Sequence, residues 1–192
     1  MRRRARVDLA SAWCFVVGSA CFAVAAVPAV AQPMGAVVTN SVFVTGSVFF
    51  TSGAALQQTS TGWRRPGHSD ARSWWASLVQ LIGTLFFNLS TAVALAAAIP
   101  AGAEGGTGWR PDVYGSVCFL VSSALAVTAA RAGRPRTEAG LNLAGSILFG
   151  ISAIGAFTRP ATGELASVFW TDFGTFGGAV LFLVAALMSL RR

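Results

Sequence analysis

Six long apolar stretches limit what this 192-residue chain can fold into: Leu9–Ala31, Gly35–Leu56, Trp74–Ile99, Val113–Ala130, Leu141–Phe157 and Val168–Leu190. A bilayer core about 30 Å thick needs roughly 20 apolar helical residues to cross it, and these stretches hold 17 to 26. The first five contain no Asp, Glu, Lys, Arg or His, and the sixth contains only Asp172, near its start. Composition points the same way, with 54% hydrophobic and only 11% charged residues, where soluble domains carry about 25% charged. A soluble globular domain is excluded, and so is a disordered chain, which could not stay solvated at this apolarity. The expected fold is all-α: a polytopic integral membrane protein, residues 1–192 forming one transmembrane domain of six helices.

The connectors add nothing that folds alone. Gln57–Ser73 is a polar loop of 17 residues, and Ala101–Asp112 is rich in glycine. Neither can bury a core, so no catalytic or nucleic-acid-binding domain is expected outside the helices.

All 14 basic residues are Arg, against 7 acidic ones, for a net charge of +7. With the N-terminus in the cytoplasm, Arg2, Arg3, Arg4, Arg6, Arg64, Arg65, Arg72, Arg131, Arg134, Arg136, Arg191 and Arg192 lie inside, and only Arg110 and Arg159 lie outside. That asymmetry satisfies the positive-inside rule and predicts a multi-pass protein of the cell (inner) membrane with both termini cytoplasmic. The partners it implies are anionic headgroups, each worth about 1 kcal/mol per arginine. Nucleic acid, which a high net charge would otherwise suggest, is not expected. Trp13, Trp74, Trp75 and Trp170 open spans and Trp63 and Trp109 lie in loops, as interfacial anchors do. The basic N-terminus, the first apolar run and Ala29-Val30-Ala31 also mimic a cleavable signal. An uncut first helix is favoured, because it carries the repeat described next.

Each span holds one Gly-Ser or Gly-Thr dipeptide, beginning at Gly18, Gly46, Gly83, Gly115, Gly145 and Gly174. In the first five, Phe follows four residues after the glycine, at Phe22, Phe50, Phe87, Phe119 and Phe149; in the sixth that position is Gly178. Glycine lets two helix backbones approach, Ser or Thr can hydrogen-bond across the contact, and Phe one turn on covers the same face. These six glycines are the expected helix-packing residues. Because successive helices alternate in direction, the natural unit is a two-helix hairpin used three times, roughly 9–56, 74–130 and 141–190.

The strings Val17-Gly18-Ser19, Thr45-Gly46-Ser47-Val48-Phe49-Phe50 and Ala144-Gly145-Ser146-Ile147-Leu148-Phe149 resemble the Gly-Ser-x-x-Phe helices of bacterial YrhK-like membrane proteins. The resemblance implies short two-helix modules, several per chain, and no catalytic residues.

Three residues before the last four of these glycines stand Gln80, Asp112, Asn142 and Thr171, where the first two helices have Phe15 and Phe43. With Asn88, they form a candidate polar seam, since polar groups in a membrane face the bundle interior. Asp112 and Asp172 begin even helices, where a carboxylate complements the dipole. Cys14 and Cys21, seven residues or about 10 Å apart along a helix, are too far apart to bridge, and with Cys118 read as packing residues. The lone His68 supplies no metal set, and no catalytic, cofactor or metal-binding constellation can be assembled. The expected function is a non-enzymatic accessory, scaffold or lipid-contacting membrane component. The alternative is a small-solute channel or facilitator that uses the polar seam of helices 3–6.

Overall fold

The computed structural model describes residues 2–64, 67, 71–99, 109–131 and 133–191. Among these residues the fold is all-α, with six helices: α1 (Arg2–Ala25), α2 (Pro28–Thr61), α3 (Ala71–Ala98), α4 (Asp112–Ala129), α5 (Arg134–Gly155) and α6 (Val168–Ser189). All six are long and apolar enough to cross a membrane. Each helix packs on its neighbours in sequence and α6 packs back on α1, so the six close into a ring. Among the described residues the extended structure is a single bridge, Thr158 with Leu165, in the loop between α5 and α6.

The helix limits depart from the apolar limits for identifiable reasons. The break between the first two helices falls at Ala26-Val27, so α1 ends at Ala25, six residues before the expected end at Ala31. Pro28, which has no N–H to give to the preceding turn, opens α2 instead. Ala29–Ala31 therefore belong to α2, which bends where Pro33 is followed by Gly35 at φ 75°, a conformation glycine adopts without steric cost. The polar loop is shorter than expected, because α2 runs on to Thr61 and α3 starts at Ala71. Residues 100–108, most of the glycine-rich connector, lie outside the described part of the chain, as does His68.

Helix ends are tied down locally. The C-terminal end of α2 is closed by Gly62, at φ 98°, whose N–H donates to the Gln58 carbonyl. The Gly62 carbonyl accepts from Gln58 Nε2 at 2.8 Å and from Trp74 Nε1 at 2.9 Å. Trp74 is therefore buried, unlike the exposed Trp13, Trp63, Trp75, Trp109 and Trp170; it fastens a helix end. Ser167 caps α6 by accepting from the Trp170 N–H.

Candidate functional site

The centre of the ring is built from one pattern, repeated once per helix. The first position is a buried glycine: Gly18, Gly46, Gly83, Gly115, Gly145 and Gly178. The next residue is small and at most 2% exposed: Ser19, Ser47, Thr84, Ser116, Ser146 and Ala179. Phe follows four residues after the glycine, at Phe22, Phe50, Phe87, Phe119, Phe149 and Phe182, every one buried. Seven and eight residues after the glycine come two more buried small residues, Ala25-Ala26, Gly53-Ala54, Ser90-Thr91, Ser122-Ser123, Ser152-Ala153 and Ala185-Ala186.

This corrects the motif in the sixth helix. Gly174-Thr175 satisfies the dipeptide, but the helix delivers its ring from Phe182, so its equivalent glycine is Gly178, one turn later. The second position requires a small residue and not a hydroxyl, and Ala179 meets that requirement. Gly174 also lies against α5, where a Cβ would come 2.5 Å from the Leu148 carbonyl oxygen.

The six glycines meet in pairs. A Cβ on Gly18 would lie 2.9 Å from the Gly46 carbonyl oxygen and from the Phe50 ring, and one on Gly46 would lie 2.8 Å from the Phe22 ring. Gly83 and Gly115 face Phe119 and Phe87 in the same way, and Gly145 and Gly178 face Phe182 and Phe149.

On the axis the phenylalanines form two triangles. Phe22, Phe87 and Phe149 from the odd helices have centroids 5.6 to 6.1 Å apart. Phe50, Phe119 and Phe182 from the even helices are 5.7 to 6.4 Å apart. Within pairs of consecutive helices the separations are 5.5, 4.9 and 5.6 Å. Such aromatic pairs contribute about 0.5–1.5 kcal/mol each beyond burial. The void among five of these rings is about 10 Å³, room for about one water. The belt closes the axis.

Hydroxyls stitch five of the six seams. Ser11 donates to the Gly53 carbonyl (2.8 Å) between α1 and α2, and Ser47 pairs with Thr91 (2.9 Å) between α2 and α3. Ser122 donates to the Ala76 carbonyl, Ser123 pairs with Ser146, and Ser152 pairs with Thr175 across the next three seams. No side-chain hydrogen bond joins α6 to α1 among the described residues, and the Ser19 hydroxyl, fully buried, has no partner.

The end of the ring that holds the N-terminus of α1 and the C-terminus of α6 contains a cavity of about 660 Å³. Phe119 and Phe182 of the belt form its floor, and all six helices contribute to its walls. Gln80, Asn142 and Phe15 line it together. They occupy one position, three residues before Gly83, Gly145 and Gly18 on the three odd helices. One turn nearer the mouth, Glu138 is buried and accepts a hydrogen bond from Ser189 at 3.1 Å. Among the described residues, Asp8 and Glu138 are the ionisable groups on the walls.

The five candidate seam residues are not gathered into one path. Gln80 and Asn142 share the cavity, whereas Asp112 and Thr171 start α4 and α6, at the opposite end of the ring. The reason is directional: three residues toward the N-terminus points to opposite ends on alternate helices. Asp112 lies 3.8 Å from Arg110, and Thr171 turns its hydroxyl back to the Ser167 carbonyl at 2.7 Å. Asn88 donates to Thr51 Oγ1 at 2.8 Å and ties α3 to α2. The aromatic belt separates the two groups. Cys14, Cys21 and Cys118 are free and half-buried. Among the described residues no three His, Cys, Asp or Glu side chains lie close enough to hold a metal ion.

No family model, curated protein or solved structure matches the chain.

Proposed function

We propose that this chain is a non-enzymatic, non-conducting scaffold of the bacterial cell membrane, built as three copies of one hairpin and related to the YrhK-like proteins. The observation that carries this reading is the phenylalanine belt, which leaves about 10 Å³ on the axis. Conduction needs an opening along the axis with groups that replace the solute's hydration, and here the axis is filled by rings and the polar groups are split between the two ends. Three paired glycine contacts of one geometry support the hairpin unit. The cavity walls carry two carboxylates, Asp8 and Glu138, and no histidine among the described residues.

The arginines support cytoplasmic termini and a contact with anionic lipid. Arg3, Arg4, Arg6, Arg72 and Arg136 are exposed at helix starts and Arg64, Arg131 and Arg191 just past helix ends, all at the cavity end of the ring. In this reading the outer faces of the helices meet lipid, which suits the exposed Ile82, Leu85, Val117 and Ile147.

The test is reconstitution of the full chain into liposomes with stopped-flow measurement of water, glycerol and urea entry. Entry at the rate of empty liposomes is the expected result. Faster entry would favour the second reading, a facilitator whose half-path is the cavity holding Gln80 and Asn142.

A further inference from the structure

We propose that the cavity is a binding site for a small, planar, uncharged heteroaromatic compound carrying a lactam or imide edge. The inference goes beyond the scaffold reading; it needs the closed ring but no particular membrane or orientation.

The cavity volume, about 660 Å³, falls within the roughly 300–1,000 Å³ of small-molecule sites. Its floor is aromatic, from Phe119 and Phe182, whose rings tilt 49° to one another, which suits the apolar end of a flat ring standing over them. Gln80 and Asn142 stand seven helical residues above their own belt phenylalanines, about 10 Å by rise, with Phe15 at the same level. Neither amide is engaged in a hydrogen bond among the described residues. An amide presents a donor and an acceptor side by side in one plane. That edge complements a lactam or imide, in the way Asn and Gln read base edges.

Other occupants fit less well. The level of the amides carries no charged group, since Glu138 lies one turn nearer the mouth and Asp8 farther still, so an ion held there would lose water without gaining a counter-charge. An acyl chain would match the alanine walls but leave both amides dry and unpaired. A flat neutral ring satisfies floor and amides together.

The experiment uses the full chain in lipid nanodiscs, titrated with lumichrome, an uncharged tricyclic imide, and followed by its fluorescence. Its 1,3-dimethyl derivative, which has lost both N–H donors, and anthracene, which has no polar edge, are titrated alongside. Saturable lumichrome binding is expected, weakened about tenfold or more by methylation. In the Gln80→Leu/Asn142→Leu double variant, lumichrome should bind no better than anthracene. Absence of saturable binding, or equal binding of all three compounds to the unaltered protein, would overturn the proposal. The methylation comparison needs no variant, so a double variant that fails to fold leaves the test intact. No gradient is involved, so failure here leaves the sealed scaffold standing, and solute entry into liposomes would sink the scaffold without touching this site.

Discussion

At Gly115 a Cβ would lie 2.6 Å from the Phe87 ring and 2.9 Å from the Gly83 carbonyl oxygen, whereas at Gly140 nothing lies within 4 Å. The first position cannot accept a methyl group unless a belt ring and a backbone both move. Gly115→Ala should therefore destabilise the ring by about 1–3 kcal/mol, the usual cost of overpacking a close contact. Gly140→Ala should stabilise α5 by about 0.5–1 kcal/mol through helix propensity. Thermal midpoints of the two purified variants, compared by size-exclusion chromatography after heating, check both; equal shifts would show that the paired glycines are not close contacts. In the first five helices the glycine and phenylalanine positions were legible at this scale, because a small residue and a ring one turn apart recur at a fixed offset. What the rings do was not. A phenylalanine that covers its own gap and one that meets three or four others around an axis have the same local sequence. Only closure of α6 on α1 distinguishes them.

Among the helices, α6 differs most from what its sequence suggests. Thr175 offered a hydroxyl at the expected place after Gly174, and the true pattern, Gly178-Ala179 with Phe182, lacked one. The seam residues misled for a related reason: an offset counted along the chain ignores that neighbouring helices run in opposite directions. The same helix also leaves the ring unevenly fastened. Ser146 of α5 pairs with Ser123, the residue eight after the glycine of α4; by the repeat, Ser19 of α1 corresponds to Ser146 and Ala186 of α6 to Ser123. Ala186→Ser should give the Ser19 hydroxyl its missing partner. One such bond contributes about 0.6 kcal/mol in a membrane bundle, so the thermal midpoint should rise modestly, and the gain should vanish when Ser19→Ala is added. A gain that survives in the double variant would show that the two positions do not meet.

For the molecule as a whole, the first helix is a full member of the ring. Gly18 packs against Gly46, and Phe22 occupies a corner of the odd triangle. Removal of residues up to Ala31 would take one ring from the belt and open the wall that Phe15 and Ser11 supply to the cavity. The membrane-extracted protein should therefore retain its basic N-terminus on sequencing; a start at Gln32 would require a five-helix arrangement that this ring does not provide. The two triangles also bear on assembly. Each pair of consecutive helices gives one ring to either triangle, so a pair alone would leave both triangles two-thirds empty and could fill them only by associating in threes. Carrying all three pairs on one polypeptide fixes that stoichiometry covalently. The loops then set the effective concentration of the missing partners, and assembly no longer depends on how many copies are present.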